Sequence, residues 1–203
     1  PRVNALSRRR EIQALLRQPG APKPAPSRPA AAAPRPQPAV RAAEPAARQW
    51  VARKPDMVLI GVSTGGPNAL AQVLPGIPRD IGVPILIVQH MPPIFTASLA
   101  DSLTAKCVIR VREARAGEAL EPNTAYIAPG GRQMRIANGG NCGVIQVTDD
   151  PPENNCRPAV DYLFRSAANQ FPGRSMAVIL TGMGSDGVLG LRLLKRHGCH
   201  VIA

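Results

Sequence analysis

Three short stretches of this sequence carry reactive side chains in settings where they could act together. The first is Gly61-Val62-Ser63-Thr64-Gly65-Gly66, which fits G-x-S-x-G and closes the apolar run Met57–Val62. A serine alcohol flanked by glycines, on a turn from a strand into a helix, is the setting of an acyl-transfer nucleophile. The glycines permit a sharp turn, and the helix behind presents backbone N–H groups to a developing oxyanion. The same glycines would also suit a structural or phosphate-cradling turn. The second stretch is Gln89-His90-Met91-Pro92-Pro93, directly after the apolar ILIV. An imidazole there can take the serine's proton at neutral pH, although a lone histidine also commonly serves structure. The third is Thr181-Gly182-Met183-Gly184-Ser185-Asp186-Gly187, at the end of the apolar run 176–181. Asp186 can fix the imidazole tautomer and stabilise its protonated form; at the opening of a helix it would equally serve as an N-cap. Serine, imidazole and carboxylate at three strand ends are the grouping that nucleophilic acyl transfer needs.

The chain order Ser63, His90, Asp186 differs from the serine, acid, histidine order of α/β-hydrolases. A reading of that kind would pair His197 or His200 with Asp101 or Asp161. His197 sits late in a helical pattern beside Gly198, where a C-terminal capping role fits better, so His90 is preferred.

These groups need a scaffold that brings strand ends together. Apolar runs occur at Met57–Val62, 83–89, 124–128 and 176–181, with alternating segments at 108–113 and Val144–Thr148 and one more run opening at 200–203. Helical patterns fall between them at 67–74, 96–105, Val160–Gln170 and 185–197. Continuous apolar strands alternating with helices predict an α/β fold: a three-layer α/β/α, Rossmann-like arrangement around a mostly parallel sheet covered on both faces. Sites in such sheets form beyond the carboxyl ends of the strands. Residues 108–150 hold strands without helices and read as a β-hairpin-like insertion or edge region.

Charge divides the chain unevenly. Residues 1–54 hold twelve basic and two acidic side chains, a net of +10, while the remainder has thirteen and eleven, a net of +2. A short amphipathic helix is expected near 5–18, with Leu6, Ile12, Leu15 and Leu16 as its apolar members. The Pro- and Ala-rich stretch that follows cannot bury a core and reads as a semi-rigid linker. Residues 1–54 are therefore expected to be an interdomain linker and 55–203 the catalytic domain. A domain ahead of Pro1 is expected, as is a C-terminal truncation, because the sequence stops inside an apolar run. Nucleic acid is not an expected partner: the folded part is almost neutral, aromatics make up 3% of the chain, and Trp50 lies in the leader. Cys107, Cys142, Cys156 and Cys199 form no C-x-x-C pair and read as reduced thiols of a cytoplasmic protein. With His90, His197 and His200 they show no metal-ligand spacing, so neither metal nor cofactor is expected. No long apolar run predicts insertion into a membrane.

From about Met57 to Ala203 the sequence resembles the catalytic domain of CheB, the chemotaxis protein-glutamate methylesterase family. The resemblance rests on IGVSTGGP at 60–67, QHMPP at 89–93 with Phe95, AYIAPG at 125–130, RPAVDYLFRS at 157–166 and ILTGMGSDG at 179–187, five motifs in the family's order. It implies a triad of Ser63, His90 and Asp186, and an oxyanion and substrate-binding pocket at Thr64, Gly65, Gly66, Met183 and Gly184 built on backbone N–H groups. It further implies hydrolysis of methylglutamate esters on the cytoplasmic helices of chemoreceptors, with release of methanol, and deamidation of receptor glutamines. Family members usually carry an N-terminal response-regulator receiver domain, through which a histidine kinase acts; that domain is not within this sequence. The family's last strand and closing loop are expected after Ala203. Two departures stand out: Gln133 where related sequences often have histidine, and Ala159 where serine is common. Two other readings remain: a carboxylesterase or amidase acting on small molecules with the same triad, and a non-enzymatic nucleotide- or phosphate-binding module. The latter lacks G-x-G-x-x-G and the P-loop lysine.

Overall fold

The computed structural model describes residues 54–139 and 143–203. The helix expected at 5–18, nearly all of the basic leader, Trp50 and Cys142 lie outside the described residues.

Among the described residues, eight strands and four α-helices follow one another as β1 (Met57–Val62), α1 (Gly66–Val73), β2 (Ile85–Gln89), α2 (Pro93–Thr104), β3 (Arg110–Glu113), β4 (Thr124–Ile127), β5 (Gln133–Ala137), β6 (Val144–Thr148), α3 (Val160–Gln170), β7 (Ser175–Ile179), α4 (Val188–Arg196) and β8 (His200–Ile202). Six strands form one parallel sheet in the order β3-β4-β2-β1-β7-β8. The remaining two, β5 and β6, pair antiparallel as a separate hairpin. The hairpin-like insertion or edge region expected over 108–150 is both: β5 and β6 form the hairpin, and β3 and β4 form one edge of the main sheet. The first half, β3 and β4, joins the main sheet, because Val111 and Ala125 continue the apolar layer beneath α2.

The strands are apolar at consecutive positions because both sheet faces are covered. In β1, Met57 and Leu59 face a core that holds Val160, Leu163, Phe164 and Ala167 of α3 and Leu194 of α4. Ile60 and Val62 face the other core, with Leu70 of α1, Leu74, and Ala100 and Leu103 of α2. Period-2 alternation sends neighbouring residues to opposite faces. The helices show the matching period: Val160, Leu163, Phe164, Ala167, Ala168 and Phe171 are buried at i, i+3, i+4, i+7, i+8 and i+11. No helix among the described residues is long and apolar enough to cross a membrane.

The chain leaves β1 toward β2 on one side and returns through β7 on the other. The carboxyl end of β1 is therefore a topological switch point, where helices on the two faces diverge and open a crevice. Ser63 sits there. Helices α3 and α4 close one face by an unusually near approach at Gly190, where a Cβ would stand 2.4 Å from Phe164 Cβ and 3.2 Å from Asp161 Oδ1. Gly190→Ala should therefore destabilise the protein by about 1–3 kcal/mol through overpacking, read as a lower urea midpoint at unchanged slope. A midpoint equal to that of the parent chain would show that the two helices are not held this closely.

Candidate active site

The three strand ends picked out by residue type deliver their side chains to one point. Ser63 follows β1, His90 follows its neighbour β2, and Asp186 lies in the loop after β7, on the other side of β1. His90 Nδ1 is 3.1 Å from Ser63 Oγ, and His90 Nε2 is 2.8 Å from Asp186 Oδ2. The imidazole thus bridges alcohol and carboxylate. Its δ nitrogen faces the serine and its ε nitrogen the acid, the reverse of the chymotrypsin-type orientation. With Nε2–H donated to Asp186, the Nδ1 lone pair is directed at the serine hydroxyl.

Backbone and side-chain bonds hold the two strand ends in register. Ser63 N–H donates to Thr181 C=O at 2.8 Å, and His90 N–H to Val62 C=O at 3.2 Å. Buried Gln89 reaches across with Nε2, donating to the carbonyls of both Ser63 (3.0 Å) and His90 (3.1 Å). Close approach demands glycine at several places around the site. A Cβ on Gly182 would stand 2.6 Å from Ser63 Cβ, and one on Gly61 would stand 2.6 Å from Val160 Cγ1. The second contact lets the N-terminus of α3 come down onto the site.

That helix explains Asp186. The residue was expected at the opening of its own helix, but α4 begins at Val188, with Gly187 as its N-cap. Asp186 instead caps α3: Oδ2 accepts Val160 N–H at 2.7 Å and Oδ1 accepts Asp161 N–H at 3.0 Å. Asn154 Nδ2 adds a bond to Oδ1 at 3.0 Å. Burial by itself would raise the Asp186 pKa, but the hydrogen bonds from His90, the two helix amides and Asn154 outweigh it and hold the carboxyl below its ordinary value. The acid therefore stays ionised beside the imidazole throughout the neutral range.

The two departures from the resemblance belong to this same helix end. Ala159 is the N-cap of α3 and offers no side-chain acceptor. Its N–H is taken by Gln133 Oε1 at 2.8 Å. Gln133 Nε2 also donates to the carbonyls of Pro151 and Cys156 at 3.1 and 3.3 Å, so this wholly buried amide shapes the loop before α3. That loop brings two residues to the site that sequence reasoning did not select. Asn154 Nδ2 bridges Asp186 and Asp161, the latter at 3.0 Å. Cys156 Sγ lies 3.7 Å from His90 Nδ1. Burial, and then the negative charge of Asp186, push the Cys156 thiol up from its ordinary value, which keeps it protonated at neutral pH. Gln89 carried a readable signal, a polar residue ending an entirely buried strand; Asn154 and Cys156 lie in an irregular loop and carried none.

The other expected residues surround Ser63. Gly66 N–H donates to Ser63 C=O at 2.9 Å and is used in the turn itself. Thr64 C=O accepts the Thr181 hydroxyl at 3.1 Å, and Met183 and Gly184 line the cleft. Ser63, His90, Asp186, Gly182, Met183 and Ile179 line a cleft of about 80 Å³. A larger groove, about 360 Å³, lies between the β5–β6 hairpin and α3 and contains none of these residues. The rival acids and histidines take other roles. Asp161 is buried and accepts Gly190 N–H at 2.7 Å. Asp101 is exposed on α2. His197 ends α4, and His200 pairs with Met176 near the start of β7, at the amino edge of the sheet.

The CheB methylesterase family model matches residues 58–203. A protein-glutamate methylesterase/protein-glutamine glutaminase of Desulfotalea psychrophila is 62% identical over 152 residues, covering 73% of this chain and 42% of that protein. Protein-glutamate methylesterase/protein-glutamine glutaminase 1 of Oleidesulfovibrio alaskensis is 43% identical over 206 residues, covering 100% of this chain and 56% of that protein. The chain thus spans about half the length of these curated relatives. The crystal structure of the Thermotoga maritima CheB methylesterase catalytic domain matches with a TM-score of 0.71 at 41% identity, covering 73% of this chain and 79% of that one. With the family model spanning the parallel sheet and all three strand ends that converge on Ser63, this chain belongs to the CheB methylesterase family.

Proposed function

We propose that this chain hydrolyses methyl esters of glutamate side chains on the cytoplasmic helices of chemoreceptors, releasing methanol, and deamidates receptor glutamines by the same route. The observation that carries this reading is the continuous Ser63–His90–Asp186 hydrogen-bond chain, at 3.1 and 2.8 Å, in a chain of this family. Residues 55–203 would be the catalytic unit and 1–54 its linker to a further domain, where a receiver and its histidine kinase would act.

In this mechanism Ser63 Oγ attacks the ester carbonyl and His90 Nδ1 takes the proton. The imidazolium is stabilised by the anionic Asp186. The oxyanion is held by backbone N–H groups near Thr64 and Met183, with Gly65, Gly66 and Gly184 shaping the pocket. His90 returns the proton to the departing methanol, or to ammonia from a glutamine, and water then releases the glutamate. At about 80 Å³ the cleft is well below the ~300–1,000 Å³ of ordinary small-molecule sites. It suits the tip of a side chain presented by a macromolecule better than a free small ester. The rim agrees: Ile94 and Phe95 at the start of α2, Met183, and Leu189 at the start of α4 expose apolar side chains on the same edge of the sheet, Met183 by 83%. Such a rim suits the apolar stripe of a receptor helix.

Ser63→Ala should lower methanol release from methylated receptor by roughly 10⁴–10⁶-fold; near-parental release would overturn the assignment. Asp186→Asn should cost on the order of 10⁴ in kcat. The same substitution should alter acid stability. A carboxyl whose folded pKa is lowered contributes stability that is complete above its unfolded value of about 3.9 and is lost as pH falls through the folded value. The urea midpoint of the variant should therefore vary less with pH below about 4 than that of the parent; equal slopes would show that Asp186 is not specially held in the fold. Leu189→Asp should raise KM for methylated receptor about 10-fold, the effect of ~1.4 kcal/mol of lost contact, with hydrolysis of p-nitrophenyl acetate unchanged. A parallel loss on both substrates would remove the rim from substrate recognition.

A further inference from the structure

The loop before α3 brings a thiol to the imidazole edge that meets the serine. Cys156 Sγ is 3.7 Å from His90 Nδ1, the nitrogen that also lies 3.1 Å from Ser63 Oγ. Ligand atoms of His90, Cys156 and Asp186 all fall within 4.8 Å of one another. We propose that His90 Nδ1 and Cys156 Sγ form a binding site for a thiophilic divalent cation, zinc in particular, which occupies the space before Ser63 and blocks hydrolysis. The inhibitory consequence rests on the hydrolytic reading above; the binding itself stands on the placement of the donor atoms.

Tetrahedral zinc holds a thiolate at about 2.3 Å and an imidazole nitrogen at about 2.0–2.1 Å, which sets those two donors roughly 3.6 Å apart. The separation here is 3.7 Å, which matches the donor spacing around one shared ion. The tautomer is also the one a metal requires. Nε2 donates to Asp186 at 2.8 Å and leaves Nδ1 unprotonated, so that an ion there displaces the hydrogen bond from the serine hydroxyl, the carboxylate–histidine–metal relay of many zinc sites. Asp186, with its oxygens committed to His90, two helix amides and Asn154, supports the site from the outer shell. Ser63 Oγ or water completes the coordination. Binding exchanges the Cys156 thiol proton for the cation and releases that proton to solvent; no electron is transferred.

The backbone that carries the thiol is held in position. Cys156 and Glu153 exchange backbone hydrogen bonds at 2.8 and 3.1 Å, and Gln133 Nε2 donates to Cys156 C=O at 3.3 Å. A nitrogen and sulfur donor pair favours zinc, whereas magnesium demands oxygen ligands. With only two inner protein donors, the site should release its ion to a chelator and act reversibly.

Cobalt(II) serves as the spectroscopic probe, on the full chain. The parent and Ser63→Ala should both show thiolate-to-cobalt charge-transfer absorption, and Cys156→Ala should not. Zinc in slight excess should inhibit hydrolysis of p-nitrophenyl acetate by the parent at least ~10-fold, reversibly with EDTA, while magnesium should not. Cys156→Ala should keep its rate in zinc-free buffer and resist zinc. Cys156→Ser, closer in shape, should behave likewise if the alanine variant folds poorly. Equal zinc inhibition of the parent and both variants, or a parent without the cobalt–thiolate absorption, would overturn the site. The cobalt reading does not depend on turnover: absorption in a parent that releases no methanol from methylated receptor would support the site and overturn the hydrolytic reading instead.

Discussion

The structure depends on one carboxylate placed at the head of a helix it does not belong to. Asp186 accepts the Val160 and Asp161 amides of α3 and, with the same oxygens, the imidazole of His90 and the amide of Asn154. An ionised carboxylate at a helix N-terminus is favoured by the orphan N–H groups and by the helix dipole. Capping α3 and orienting His90 are therefore the same interaction. The packing that supports it follows from that demand: Gly61 lets Val160 approach β1, and Gly190 lets α4 approach α3 and donate to Asp161.

The position of the chain reversal supplies the rest. Ser63 ends the strand from which the sheet grows in both directions, so His90 and Asp186 arrive from opposite neighbours. Convergence needs no long excursion of any loop. It also explains why residues far apart in sequence share so small a cleft, and why the larger groove beside the hairpin holds none of them.

Much of this was legible from residue types. The parallel sheet followed from strands apolar at every position, and the three reactive groups followed from their places after apolar runs. What stayed hidden was set by contacts between distant segments. The partner of Asp186 is not the helix next to it in sequence but α3, some 25 residues earlier, and local capping logic has no access to that. Strand β5 was missed because Gln133 and Arg135 interrupt Met134 and Ile136, and so short an alternation resembles a loop. Asn154 and Cys156 lie where no periodicity operates. The orientation of the His90 ring depends on which nitrogen Asp186 can reach, and only coordinates supply that.

The paired departures at positions 133 and 159 meet in a single hydrogen bond. Alanine at the head of α3 is tolerable because a glutamine from another strand already satisfies its amide. Loss of that glutamine would orphan a buried donor, and a hydroxyl at 159 would not replace it, because an N-cap side chain accepts from amides further into the helix and not from its own N–H. The head of α3 therefore depends on an acceptor lent by β5, and substitution at 133 falls on the helix that Asp186 caps.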